Sequence, residues 1–212
     1  LKLIYKNKPM LMLMIAFGTD VLAFAATNAV NVYYFKYVLN RIDLVPIAAT
    51  VGLVGGVAVL PFLPILSKKL GKKRLYLTGT AITIIPLIIL WIKPIVPVAV
   101  LLTLFSIIGF VAKIPANMGW AMLPECSDYA EAKFGIRGDG TLSSSLTFIN
   151  KFGMAIGGSL ASFLLGTAGF VANVEQTEAV KSMIIFLRFG MPILGYIASL
   201  ISMSFYEINT EK

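Results

Sequence analysis

The chain has 212 residues, 58% of them hydrophobic and 13% charged, with a mean hydropathy of +0.88; soluble domains run nearer half apolar and a quarter charged, so an ordinary water-soluble domain is excluded. At about 20 residues per spanning helix, this length holds roughly six to eight helices in one bundle. The net charge of +8, from 18 Lys and Arg against 10 Asp and Glu, is read as loop topology and not as a nucleic-acid footprint, because membrane proteins concentrate Lys and Arg in cytoplasmic loops; no nucleic-acid partner is expected.

The chain begins at Leu1, and Lys2, Lys6 and Lys8 lead directly into an apolar run too long for a signal peptide and without its small-residue cleavage site. It reads as an internal slice of a longer polypeptide. The first span covers about residues 10–39 and is interrupted by Asp20, Asn28, Asn31 and Lys36. The second covers about 44–66, before the basic cluster Lys68, Lys69, Lys72, Lys73 and Arg74. The third runs over about 75–92 and turns at Lys93-Pro94; the fourth runs over about 96–114 and ends at Pro115. Residues 116–140 hold Glu125, Asp128, Glu131, Lys133, Arg137 and Asp139. Each charge at the centre of a span costs about 2.5 to 3.5 kcal/mol, so this segment is expected as a cytoplasmic loop with a short helix. The fifth span covers about 141–172 and the sixth about 181–206, followed by a polar tail. The expected fold class is an all-α membrane protein, a single bundle of six transmembrane helices.

Six spans define two sides. One gathers Lys2, Lys6, Lys8, the cluster from Lys68 to Arg74, Lys133, Arg137 and Lys212; the other has only Lys36, Arg41, Lys93 and Lys181. That imbalance puts both termini and the two basic loops in the cytoplasm. Gly52, Gly55 and Gly56 on the second span, and Gly153, Gly157 and Gly158 with Ser159 and Ser162 on the fifth, supply the small residues that let helix backbones approach. Ordinary helix packing accounts for most of them, although such helices also form the rocking surfaces of transporters.

Chemistry is narrowed first by what is missing. There is no His, and Cys126 is the only cysteine, which removes His-ligated haem and zinc, Ser-His and Cys-His nucleophile pairs and any internal disulfide. No cofactor and no metal site is expected. Asp20 sits about ten residues into the first span and Lys151 about ten into the fifth, with Thr147 and Asn150 beside the latter; ionisable groups at such depth face a bundle interior or a wet cavity. For Asp20 two readings stand: a structural ion pair or protonated acid, and a role in handling substrate or cation. Lys113 and Arg188 lie near span ends and are expected to snorkel. Asn28 and Asn31, three apart on one helix, offer donors and acceptors suited to sugar hydroxyls, while Tyr33, Tyr34 and Tyr37 suit the interfacial aromatic belt. Glu125, Asp128 and Glu131 recur every three residues, one acidic stripe on a short helix. Lys133, Arg137 and the basic cluster are the cations available to it; a solvated acidic face is the plain alternative.

The run from Trp120 to Gly140, with Asp128-Tyr129-Ala130-Glu131-Ala132-Lys133-Phe134-Gly135-Ile136-Arg137-Gly138-Asp139-Gly140, resembles the Asp-Tyr-Gly-Glu-x-Lys-x-Gly-x-Arg-x-Glu-Gly loop of the glycoside–pentoside–hexuronide cation symporters. These are the melibiose-permease-like branch of the major facilitator superfamily. Tyr33 to Val38, Gly71-Lys72-Lys73, Lys151-Phe152-Gly153 and Phe170 to Asn173 before Glu175-Gln176 agree in order. The resemblance is to the second, C-terminal six-helix half of such a transporter and covers nearly the whole chain, so an N-terminal half is missing from it. It implies that Lys151 is the cavity-facing lysine near the sugar and coupling-ion sites, flanked by Thr147 and Asn150. It also implies that Glu125, Asp128, Glu131 and Arg137 hold the cytoplasmic side closed through ion pairs in the outward-facing state. Glu125 stands where the family usually has Asp, Ala130 where it has Gly, and Ala116 where melibiose permease has an aromatic against the sugar. The family's acidic cation site lies in the absent half.

The function expected is therefore secondary transport of a sugar or glycoside, coupled to Na⁺ or H⁺, by alternating access of this bundle against the missing one. The substrate-handling residues expected are Lys151, Thr147, Asn150, Asn28 and Asn31, with Asp20 and Lys151 as coupling residues. A stand-alone six-helix protein that dimerises is the first rival. A membrane enzyme acting on lipid-linked sugars, with Asp20 and Lys151 as acid and base, is the second, disfavoured because the acidic stripe lies far from either residue.

Overall fold

The computed structural model describes residues 5–208; Lys2 and Lys212 of the basic side lie outside the described residues. Among the described residues six helices are long and apolar enough to cross a membrane: α1 Lys8–Val38, α2 Leu44–Leu70, α3 Lys72–Ile92, α4 Val98–Phe134, α5 Asp139–Thr167 and α6 Glu178–Ser204. Local chemistry sets their ends. Asn7 caps α1 by accepting the Met10 amide at 3.1 Å, with Pro9 in the first turn, where its missing donor costs nothing. Gly71, at φ +78°, takes the left-handed turn from α2 into α3 that other residues resist. Thr177 caps α6 by accepting from the Val180 amide at 3.4 Å.

Two helix ends differ from the sequence expectation. Pro115 does not end the fourth span: the helix runs through it from Val98 to Ala121, and after Met122 a further helical piece, Leu123–Phe134, starts on Pro124. An internal proline forfeits one backbone hydrogen bond and needs room for its ring. Gly79 on α3 supplies that room, since a Cβ there would lie 3.2 Å from Pro115 Cδ. The segment expected as a loop with a short helix is thus helical up to Phe134, and the chain leaves the helix only over residues 135–138. At the far end of α5, the apolar residues to 172 do not extend the helix, which stops at Thr167 before Gly169 at φ +85°.

In space α5 packs on α1, α1 on α6, α6 on α3, α3 on α4 and α4 on α2. Exchanging α1 with α4, α2 with α5 and α3 with α6 returns the same neighbours. Because each unit has three spans, the second runs opposite to the first, an inverted repeat. The closest backbone approaches fall at equivalent contacts of the two units. A Cβ on Gly109 would lie 2.2 Å from Gly52 O at the α4–α2 contact, and one on Gly157 would lie 2.2 Å from Leu22 O at the α5–α1 contact. Buried apolar residues form two clusters. One is built around Tyr34, Phe35, Phe105 and Phe189, and the other, towards the termini, around Phe17, Tyr76, Met122 and Tyr206.

Candidate functional site

On α5, Gly153, Gly157 and Ala161 turn towards α1 and are buried, leaving the opposite face uncovered by any other helix of the bundle. That face carries Lys151 and Thr147, both exposed, with Asn150 half-buried at its edge. Phe148 and Phe152 stack beside them at 5.6 Å with 16° between the rings. Lys151 makes no hydrogen bond or ion pair among the described residues, so its ammonium is free to meet a ligand or another chain segment. An exposed cation in mid-helix is costly against lipid tails, so this face belongs against water or protein.

On α1 the expected asparagine pair separates. Asn28 is exposed, and its Nδ2 donates to Phe24 O at 3.0 Å within the same helix; Asn31 is partly buried, with an Oδ1 sealed from solvent and unpartnered. Asp20 lies at the boundary of the two apolar clusters. Tyr76 of α3 donates to its Oδ2 at 2.5 Å, Ser199 of α6 donates to the same oxygen at 3.2 Å, and the two hydroxyl oxygens are 2.9 Å apart. Its Oδ1 is sealed from solvent and has no partner. Among the described residues no Lys or Arg pairs with Asp20, and its partners there are the two hydroxyls. Asp20 and Lys151 are turned to different surroundings, one to α3 and α6 and the other to the open face of α5.

The acidic stripe divides into two. Glu125 is nearly enclosed, its side chain 12% exposed, and pairs with Lys72 at 2.9 Å; Lys72 also donates to Ala121 O at 2.8 Å. Tyr206 reaches the other carboxylate oxygen at 3.4 Å, and burial holds its phenol well above the usual range. Lys73 adds bonds to Ser204 O at 3.1 Å and Tyr206 O at 2.5 Å, and Asn7 Nδ2 donates to Cys126 O at 2.8 Å. The α2–α3 turn, the end of α4 and the segment after α6 are thereby tied together. Asp128 and Glu131 face Arg137 instead, at 3.6 and 3.0 Å, and Asp139 joins them at 2.8 Å. The Arg137 pKa is raised, first by the Asp139 hydrogen bond and then by the charges of Asp139 and Glu131. All four of these side chains are at least half exposed. Exposed pairs of this kind contribute little and exchange partners readily.

Sequence reasoning missed Arg188. It does not snorkel: it is buried within a five-residue π-helical stretch of α6, with its guanidinium 4.8 Å from the Phe105 ring centre and 5.2 Å from that of Phe189, and its Nε unpartnered. A basic residue near a span end gives no hint in sequence of which way the helix turns it. The partners of Asp20 were equally hidden, because Tyr76 and Ser199 lie on helices far from it along the chain.

The sequence matches a family model described as MFS/sugar transport protein over residues 1–210. It is 32% identical over 206 residues to an uncharacterized symporter, YnaJ, of Bacillus subtilis (strain 168), covering 97% of this chain and 44% of that protein. It is 31% identical to a putative sulfoquinovose importer of Escherichia coli (strain K12), covering 99% of this chain and 45% of the importer. It is 29% identical to an isoprimeverose transporter of Lactiplantibacillus pentosus, covering 99% of this chain and 44% of that protein. The chain thus spans less than half the length of these relatives. Their names point to transport and not to catalysis. With six membrane-spanning helices and a family match along nearly its whole length, this integral membrane protein belongs to the MFS/sugar transport protein family.

Proposed function

We propose that this chain is the C-terminal half of a sugar or glycoside symporter of the plasma membrane, with both termini in the cytoplasm, driven by Na⁺ or H⁺ and working by alternating access against an N-terminal six-helix half. The observation that carries the reading is the open face of α5. Lys151 and Thr147 stand there exposed in mid-helix and uncovered by the bundle, as cavity-lining groups do when the other wall is a second half. Lys151 and Thr147, with Asn150 and the exposed amide of Asn28, supply the donors and acceptors a sugar needs. Asp20 and Lys151 serve cation coupling. Arg137 with Asp128 and Glu131 forms the exchangeable part of a cytoplasmic ion-pair gate, and Glu125, locked to Lys72, holds the helix end from which that gate hangs. The sugars in the names of two relatives support a sugar as the substrate class.

The test is uptake by the full-length protein in proteoliposomes, with a panel of labelled glycosides and with Na⁺ or pH gradients imposed separately. Wild type is expected to accumulate at least one sugar under one of the gradients, and Lys151→Ala to accumulate it at least tenfold less while unfolding at the same temperature. Unaltered accumulation by Lys151→Ala removes that residue from the site, and absence of uptake with every sugar and gradient defeats the transport reading.

A further inference from the structure

Arg188 carries a charge that no group among the described residues balances. The residue is 7% exposed, and its guanidinium lies 4.8 Å from the Phe105 ring centre on α4 and 5.2 Å from that of Phe189 on α6. Ring faces attract a cation but bring no net charge. The guanidinium makes no hydrogen bond or ion pair among the described residues, and its Nε is sealed from solvent. The groups whose fields reach it are the hydroxyls of Tyr34 and Tyr196, and phenols are neutral at pH 7. The acids near the outer helix ends are engaged elsewhere, Asp43 with Arg41 and Glu178 with Lys181, and Asp20 is bonded to Tyr76 and Ser199. A buried lysine could shed its proton, whereas an arginine keeps it in any protein setting. A buried, unpaired charge is among the most costly features a fold can carry. The negative group that offsets this one comes from outside the bundle.

The backbone is widened at the same place. Residues 186–190 form a π-helical turn, a geometry that recurs at functional sites, and Leu187 O within it accepts from Thr27 Oγ1 of α1 at 3.5 Å. Asn31 stands one turn beyond Thr27 on the same face of α1, and its Oδ1 is sealed and unpartnered. Both helices thus bring unsatisfied polar groups to the outer aromatic cluster. Of the three Arg188 nitrogens only Nε is sealed, so the terminal pair are the atoms a ligand meets. An opening that exposes 7% of the residue admits a single ion or the tip of a larger molecule, not a sugar ring.

We infer that Arg188, walled by Phe105 and Phe189, is an anion-binding site in the outer part of the bundle. It takes one small negative group: a free halide, or the acid group of a solute whose ring stays outside. The site stands without the transport reading, which bears only on the second of these sources.

Thermal unfolding of the purified full-length protein separates the sources. Chloride is titrated against sulfate at constant ionic strength, and methyl glucuronide is compared with methyl glucoside in chloride-free buffer. A saturable rise in unfolding temperature with chloride, present in wild type and lost in Arg188→Gln, assigns the site to a free halide. A rise with methyl glucuronide but not with methyl glucoside, again lost in Arg188→Gln, assigns it to the acid group of a solute. Equal responses in wild type and Arg188→Gln overturn the site. So does a wild type indifferent to both anions, the result expected if a carboxylate of another chain segment balances Arg188. Should Arg188→Gln not fold, Arg188→Lys replaces it: an ammonium on a different stem is expected to weaken the apparent affinity at least tenfold, and an unchanged affinity counts against the site. These readouts need no uptake, so a protein that moves no sugar defeats the transport reading while the anion site is still decided.

Discussion

At the scale of single residues, two lysines of one turn illustrate how little sequence says about a charge's task. Lys72 and Lys73 belong to a run whose excess reads as orientation, yet Lys72 neutralises the nearly enclosed Glu125 and bonds to Ala121 O. Among the described residues, truncating it leaves Glu125 with the Tyr206 hydroxyl at 3.4 Å. Lys72→Ala is therefore expected to destabilise the full-length protein by about 1–3 kcal/mol, whereas Lys133→Ala, whose hydrogen bond to Tyr129 is exposed, should stay within about 0.5 kcal/mol. Thermal unfolding in detergent measures both, and equal effects would contradict the enclosed pair. Residue types flagged Asp20 and Lys151 as exceptional from composition alone, because charge in an apolar span is rare. Their surroundings depend on helix rotation, which residue type does not encode, and the two emerge in different settings.

At the scale of elements, glycine spacing predicted close helix approach but not which glycines make it. Gly109, absent from the sequence list, is the tightest position on α4, its Cβ direction blocked by backbone of Gly52 at 2.2 Å. Gly158, on that list, meets nothing within 4 Å inside the bundle. A side chain at Gly109 must push α4 from α2, since a backbone carbonyl cannot swing aside. Gly109→Val is expected to cost about 1–3 kcal/mol or more and to lower the yield of folded full-length protein. Gly56→Ala meets mainly the flexible stem of Lys113 at 3.0 and 3.1 Å and should be milder. Comparing the two by size-exclusion yield and unfolding temperature checks it, and the reverse order would refute the packing argument. Pro115 makes the same point from the other direction. Proline reads as a helix end because it lacks a donor, but Gly79 opposite gives its ring a place, and the helix continues.

At the scale of the whole molecule, the inverted repeat explains why the open surfaces come in a pair. α2 and α5 are equivalent, each packs on one inner helix, and each leaves a face exposed, with Leu53, Val54 and Val57 on one and Phe148, Phe152 and Phe163 on the other. Only the α5 face carries a charge in mid-span. If that face lines an alternating cavity, a single cysteine at Thr147 in the full-length protein should react with an impermeant thiol reagent, and the rate should change several-fold when a transported sugar is added. A cysteine at the buried Leu146 should stay unreactive, and the native Cys126 is buried as well. A Thr147 rate indifferent to every transported sugar would place the residue away from the pathway.

Sequence by itself determined what kind of solvent this protein lives in, the number of its spans and the family of its motifs, because hydropathy over about 20 residues and short ordered motifs are properties of neighbours along the chain. It also singled out the residues too polar for their depth. Only the tertiary structure decided what those residues touch: Glu125 with Lys72, Arg137 among three carboxylates, Arg188 between two phenyl rings, and Asp20 with Tyr76 and Ser199. Such partners come from different helices, and their meeting is fixed by how each helix is rotated in the bundle, a consequence of glycine contacts and buried side chains far from the residues concerned.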